Sequence, residues 1–470
     1  MSVDHYSSAR EQAAAVRERR ISARELLELH LARIDEVNGR VNALVSVDPE
    51  RARKTAADAD ERQARGESLG ALHGLPFAVK DTHELAGWRT TFGSPTMADH
   101  VSAHDDLHVA RVLAAGAVPV AKSNVPEFAA GSHTFNPIFG TTRNPYDLTR
   151  SAGGSSGGAA AALATGMVAL ADGSDMGGSL RNPASFNNVV GLRPGFGRVP
   201  IWPTWNVFET VSVAGPLARG VEDLALLLSV IAGPDDRVPT ASEVPGAAFA
   251  PPLTAASMPG LRVALSADLG GAFEVDVDVA AVIAAQADVL ADAGAHVELA
   301  HPDLDLAEDT FRTLRAWLFH HALGDLNARH PGVMKTSLVA NIEAGAPLTG
   351  ADVARAYAQR TELAERMRRF FSRYDVLALP VSQVPPFPAD QEYPAAINGR
   401  VQSTYLDWMR SAYLITATGC PAVSVPAGFT AAGLPVGLQL VGPAGSERRL
   451  LEVALSYERL SGAGRRRPPL

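Results

Sequence analysis

The chain predicts an α/β fold on a mixed sheet, and three observations carry that prediction. Short apolar runs alternate with amphipathic or charged helical stretches along most of its 470 residues, an order that favours a parallel or mixed sheet. From Leu261 to Leu299 the pattern runs strand, helix, glycine stop and strand in succession. A run of small apolar residues near Ala159–Ala171, interrupted at Thr165 and Gly166, reads as a helix buried on all sides.

Ser22 with Glu25 forms a capping-box pair. It opens an amphipathic helix from Ala23 to about Val37, with Leu26, Leu27, Leu29, Leu31 and Ile34 on its apolar side. A charged helix covers about Pro49 to Arg65. Leu75–Val79 is an apolar strand ending in Lys80 and Asp81, and a helix at Leu107–Ala115 leads through Gly116 to a strand at Val118–Ala121. After the buried helix come a strand at Val213–Pro216 and a helix at Val221–Ile231. Residues 238–259 are rich in Pro and Ala and read as a loop. Leu261–Ser266, Val275–Ala293 and Val297–Leu299 form the βαβ-like unit. Two long helices follow, about Asp305–His330 and Gly350–Tyr374, then strands at Val376–Leu379, Ala422–Val425 and Val436–Val441. Ser446 caps a last helix, and the tail GAGRRRPPL is expected to fray.

Composition narrows the class. The net charge of −9 weighs against nucleic acid or an anionic membrane as main partner. The single cysteine, Cys420, allows no intrachain disulfide and suits a reducing compartment such as the cytoplasm. The N-terminal residues lack an apolar signal core, and the longest apolar run falls short of a membrane span. A soluble cytoplasmic protein is the expectation.

Two Gly/Ser segments flank the apolar run: Ser151–Gly158 and Gly173–Arg181. A phosphate cradle is one reading, but GGSSGG lacks the Gly-Lys-Ser/Thr ending of a P-loop. A flexible linker is another, but linkers do not enclose an apolar helix. The third is catalytic. A serine nucleophile needs a base and an oxyanion hole, and the backbone N–H groups of Met176, Gly177, Gly178 and Ser179 can supply the hole beside the Ser179 hydroxyl. Asp175 and Arg181 read as a structural ion pair fixing the loop. None of the 13 histidines sits in a nucleophile-partner motif. His104 and His108 stand four apart near Asp105 and Asp106, lack a third metal ligand, and read as a solvated helix start.

These segments resemble the amidase signature family. The resemblance rests on Gly153–Gly158, on Asp175–Pro183, on Leu75–Asp81 with its lysine, on Gly191–Pro194 with Gly197–Val199, and on Gly419–Pro426. It spans nearly the whole chain. It implies a single α/β domain with a central mixed sheet of ten or eleven strands covered by helices on both faces. Within it, residues 1–66 would be a helical part, 67–232 the catalytic core, 233–420 a variable substrate-side part and 421–460 the closing strands and helix. The resemblance also implies a Ser–cis-Ser–Lys triad: Ser179 as nucleophile, Ser155 as bridging serine after a cis bond from Gly154, and Lys80 as base. Gly154, Ser156, Asp175 and Arg181 would support it. A buried lysine is a plausible base chemically, because desolvation disfavours its charged form. The chain departs from the family pattern at Ser174, at Ala159 and at Phe186–Asn188, none of which removes a triad member.

The implied reaction is hydrolysis of a C–N bond through an acyl-enzyme, with no metal or organic cofactor. Residues 126–134 and the loop after Arg198 are similar to the family's pocket-lining segments. Phe128, Ala129 and Ala130 suggest a neutral pocket rather than one built for a charged acyl group, and Gly131 is expected to line it with them. Trp202, Trp205 and Phe208 read either as an apolar wall for an aryl or alkyl group or as the packing of a wide loop. An aryl amide, anilide or carbamate (urethane), with ester hydrolysis as a side activity, is the expected substrate, and the protein is expected to be a monomer or homodimer. The alternative is the amidase-like component of a tRNA-dependent amidotransferase assembly, against which the acidic balance and the aromatic loop weigh. A binding protein without activity is a third reading, which the intact Lys80, Ser155 and Ser179 oppose.

Overall fold

The computed structural model describes residues 3–470. One sheet of eleven strands runs through them. In chain order these are β1 (Leu44–Val45), β2 (Pro76–Lys80), β3 (Val118–Ser123), β4 (Leu170–Asp175), β5 (Val190–Arg193), β6 (Val213–Ala218), β7 (Arg262–Leu265), β8 (His296–Leu299), β9 (Val376–Pro380), β10 (Ala422–Phe429) and β11 (Pro435–Val441). Across the sheet the order is β1-β3-β2-β4-β6-β5-β10-β11-β9-β7-β8. Strand β2 is parallel to both β3 and β4, and β7 is parallel to β8 and β9. The remaining pairs are antiparallel, so the sheet is mixed. Strands β2, β3, β4, β6 and β9 are buried along nearly their whole length, as unbroken apolar runs should be when both faces are covered.

Fourteen helices accompany the sheet among the described residues: α1 (Ala9–Arg17), α2 (Ala23–Val41), α3 (Pro49–Ala64), α4 (Leu107–Ala114), α5 (Gly157–Ala164), α6 (Arg181–Phe186), α7 (Val221–Ile231), α8 (Val277–Ala284), α9 (Gln286–Asp292), α10 (Ala307–Arg329), α11 (Thr336–Gly345), α12 (Gly350–Phe370), α13 (Arg410–Thr418) and α14 (Glu447–Ser461). The Ser22–Glu25 capping box opens α2 as expected, and a second one, Ser8–Glu11, opens α1. One apolar core holds α2, α3, α5, α7 and α14 against the sheet, and a second gathers α10, α12 and α13.

Three local expectations change. The apolar run expected as one helix over 159–171 is a helix, α5, followed by a strand, β4. Both halves are buried, and apolar character alone cannot separate a buried helix from a buried strand. Thr165 caps the helix and Gly166 turns at φ +77°, which supplies the break. The helix expected over Val275–Ala293 divides at Ala285 into α8 and α9. The tail is anchored rather than frayed: Arg33 Nη2 donates to the Leu470 carbonyl at 2.9 Å, and the Arg467 guanidinium lies 4.8 Å from the Tyr6 ring centroid.

Candidate active site

The parallel neighbours β2 and β4 lie inside the sheet, and their carboxyl ends fall on the same side of it, where open α/β sheets gather functional groups. Pairing of Phe77 with Leu170 and Ala78 with Ala171 brings Lys80, the last residue of β2, beside the end of β4. Lys80 is fully buried, and its Nζ hydrogen-bonds at 2.8 Å to Ser155 Oγ and at 2.8 Å to Ser174 Oγ. Ser155 lies just before α5, after a cis Gly154–Ser155 peptide. The loop is held from behind: Ser132 Oγ donates to the Gly154 carbonyl at 2.7 Å and Thr134 Oγ1 to the Gly153 carbonyl at 2.8 Å. Ser156 ties the two Gly/Ser segments together through its backbone, its N–H donating to the Ser179 carbonyl at 3.2 Å, while its hydroxyl is buried without a partner.

Ser155, Ser174 and Ser179 line one cavity of about 140 Å³ with Phe128, Ala129, Gly131, Met176, Gly177, Ser212, Arg315, Phe319 and Met409. Ser179 is 7% exposed, so its hydroxyl reaches that cavity without facing open solvent. The loop geometry depends on Gly178, at φ +114°, where a Cβ would come within 2.6 Å of the Ala412 side chain.

Burial dominates the electrostatics. It lowers the Lys80 amine to about 7, against the pull of the Asp172 and Asp175 carboxylates, which favour its charged form. Asp175 is the anchor of the second loop. Arg181 grips it bidentately, Nη2 to Oδ1 at 2.9 Å and Nε to Oδ2 at 3.0 Å, and Gly178 and Leu180 donate their N–H groups to it at 2.9 and 3.1 Å. Burial opposes its charge, but Arg181, Arg193 and the Gly178 N–H hold the carboxyl well below its usual range. This geometry removes Gly178 from the expected set of oxyanion donors, because its N–H is already spent on Asp175. The N–H groups of Met176, Gly177 and Ser179 find no acceptor among the described residues.

Behind Lys80 lies a cluster that the sequence reading missed. Asp172 Oδ1 accepts the Lys80 backbone N–H at 2.7 Å, and Asp172 Oδ2 contacts His83 Nδ1 at 2.6 Å and His108 Nε2 at 3.0 Å. His108 is therefore buried, not part of a solvated helix start. Its partners come from the end of β2 and from β4, too distant in sequence for local spacing to reveal. Burial works against charge on Asp172, yet the two imidazoles keep the carboxyl well below its ordinary range, and burial lowers His83. The three side chains could each offer a metal one ligand atom. Their spacings are those of hydrogen bonds, shorter than the roughly 3.3 Å between ligand atoms around tetrahedral zinc.

The expected pocket residues separate. Phe128, Ala129 and Gly131 line the serine cavity, whereas Ala130 is fully buried in a small apolar cluster. A second cavity of about 320 Å³ shares Phe128, Met176, Ser212 and Phe319 with the first. Its walls include Val199, Ile201, Trp205, Val207, Leu318 and Leu323. Trp205 is thus on a cavity wall, while Trp202 and Phe208 are on neither. The Trp202 carbonyl instead accepts the Leu107 N–H at the start of α4, and Phe208 points outward at 64% exposure. Arg315 and Phe319, on α10, escaped the sequence reading because no motif marks that helix.

Residues 25–451 match the Amidase family model. The chain is 35% identical to an acylamidase of Rhodococcus erythropolis, over 97% of this chain and 95% of that one. It is 36% identical to a glutamyl-tRNA(Gln) amidotransferase subunit of Synechococcus sp. (strain CC9605), over 95% of each. Among solved structures, a bacterial aryl acylamidase of the amidase signature family superposes with a TM-score of 0.90 at 30% identity, covering 98% of this chain and 97% of that one. A peptide amidase from Stenotrophomonas maltophilia gives 0.82 at 28% identity over 99% and 98%. A match of that extent, on a sheet that presents a buried lysine to two serine-bearing loops, places this chain in the amidase signature family as a single-domain hydrolase of carbon–nitrogen bonds.

Proposed function

We propose that the protein hydrolyses small aryl amides, anilides or carbamates, with esters as secondary substrates, through Ser179 as nucleophile, Ser155 as proton bridge and Lys80 as base. The observation that carries this reading is the 2.8 Å contact of a buried amine with Ser155 in the cavity that Ser179 also lines. A neutral amine donates to Ser174 and accepts from Ser155. As Ser179 Oγ attacks the carbonyl carbon, its proton passes to Ser155, whose own proton passes to Lys80. Charge then collects on the carbonyl oxygen, where the unspent N–H groups of Met176, Gly177 and Ser179 can meet it. Collapse breaks the C–N bond, and the departing amine takes its proton back along the same relay. Water attacks the acyl-enzyme by the reverse sequence and releases the acid. The cavity of about 320 Å³, mainly apolar with Glu209, Asn206 and Thr240 among its polar lining, suits the aryl or alkyl group.

The purified chain, alone and without tRNA, is expected to hydrolyse a neutral anilide or carbamate, and Ser179→Ala to reduce turnover by about 10⁴-fold or more. Retained activity in that variant would remove Ser179 from the mechanism. Activity appearing only with tRNA and partner proteins would support the amidotransferase role named for the Synechococcus relative.

A further inference from the structure

The serine cavity contains a cation with no counter-ion. Arg315, on α10, is 4% exposed and lines the cavity with Ser155, Ser174 and Ser179. Its Nε donates to Asn341 Oδ1 at 3.1 Å, its Nη2 to the Tyr405 hydroxyl at 2.6 Å, and its Nη1 to the Met176 sulfur at 3.0 Å. A guanidinium has five N–H donors, so two remain, and one of the three acceptors is a weak thioether. Among the described residues no carboxylate lies within ion-pair distance of it. The neighbouring cation contrasts with it: Lys335 pairs with Glu392 at 3.2 Å and donates to the Ala130 carbonyl at 2.6 Å. The other buried arginines of the site, Arg181 and Arg193, both face Asp175. A charge held out of water without an opposite charge is costly. The Phe319 ring, 4.1 Å from the guanidinium carbon, only partly offsets that cost.

Resting on the hydrolase reading above, we propose that Arg315 is a specificity residue that binds a carboxylate on the substrate, so that the preferred substrates are monoanionic amides: half-amides of small dicarboxylic acids with an apolar group on nitrogen. The two adjoining cavities, which share Phe128, Met176, Ser212 and Phe319, divide such a molecule naturally. The smaller, holding Ser179 and Arg315, takes the carboxylate-bearing acyl part, and the larger, walled by Trp205, Leu318 and Phe319, takes the aryl or alkyl part. The guanidinium fork matches a carboxylate bidentately, and the low-dielectric wall strengthens the pairing. This revises the neutral pocket expected from Phe128–Ala130, which considered one segment of the wall.

The test compares three 4-nitroanilides at pH 8: the anionic succinic half-amide, the neutral butanoic amide and the cationic 4-aminobutanoic amide. The wild type is expected to show a kcat/KM about tenfold or more higher for the succinic than for the butanoic compound, with the aminobutanoic compound slowest, in line with a charge-assisted hydrogen bond in a buried site. Arg315→Gln should bring the succinic-to-butanoic ratio to one or below, and Arg315→Lys should keep part of the preference. A wild-type ratio at or below one overturns the inference, even if Arg315→Gln fails to fold, and so does a ratio unchanged in a folded Arg315→Gln. If the butanoic compound is turned over without anionic preference, the hydrolase reading stands and the role of Arg315 falls. If none of the three is turned over, the inference falls, and labelling of Ser179 by a fluorophosphonate then decides whether the hydrolase reading falls with it.

Discussion

The two sides of the paired cavities are built on different principles. One wall carries Ser155, Ser174 and Ser179 with Lys80 buried behind them, all within a span of a hundred residues and set on the ends of β2 and β4 or on loops of the same core. Its two supporting carboxylates are fully engaged: Asp175 takes two N–H groups and two arginines, and Asp172 takes a backbone N–H and two imidazoles. The facing wall is assembled from the loop after Arg198 and from α10, and it leaves Trp205 half in solvent at 51% exposure and Arg315 without a counter-ion. Saturated interactions fix geometry, as chemistry requires; spare ones are available to a ligand. On the proposed mechanism, the first wall carries the reaction and the second the choice of substrate.

The largest break in that contrast comes from Lys80. Methionine fills a similar volume without an amine, so Lys80→Met is expected to fold with unchanged or raised thermal stability, since a buried titratable group is removed. Its kcat/KM should fall by about 10⁴-fold. The wild-type pH profile supplies the companion measurement. The proposed relay needs the neutral amine, and burial lowers Lys80 to about 7; activity should therefore rise as pH passes through that region and level off in the alkaline range. A wild-type profile flat into acid would remove Lys80 as base.

A smaller effect sharpens the first wall. Asp172 is an anion beside Lys80 and, with Asp175, favours the charged amine; His83, His108 and Lys122 also face Asp172. Asp172→Asn removes one negative charge, so the Lys80 pKa should fall further and the acid limb of kcat/KM should move to lower pH. A purely structural Asp172 would instead lower activity equally at every pH. The limb position, measured on the folded variant, separates the two.

How much of each wall can be read from the sequence follows the same division. Lys80, Ser155 and Ser179 are visible because each sits in a short run of distinctive residues next to an apolar element. The capping box at Ser22 and the helix Val221–Ile231 are visible because capping and periodicity act within a few residues. His108 and Arg315 are not visible. Their meaning depends on Asp172, 64 residues further along the chain from His108, and on Tyr405, 90 residues beyond Arg315. Helix α11, which supplies Asn341 to Arg315, lacks a side-chain cap at its start, so no local signal announces it. The break between α5 and β4 is marked only by Thr165 and Gly166, and the residues on either side of it, Ala159–Ala164 and Met167–Ala171, are apolar, so the run reads as one element.

The smallest effect belongs to the second wall and separates two aromatics that the sequence placed together. Trp205 borders the larger cavity, 4.3 Å from the His321 ring centroid and edge-on to Trp317. Half of it is already in water, so truncation forfeits only part of a large aromatic's burial, about 1 kcal/mol, which is about fivefold in binding. Trp205→Ala should raise KM for an anilide by about that factor and leave kcat near its wild-type value, because the ring touches none of the residues proposed to react. Phe208 lines neither cavity, so Phe208→Ala should leave both parameters unchanged. Equal effects from the two substitutions would mean that the loop acts as a unit, closing over substrate as a whole, and that the second wall is less open than its resting geometry.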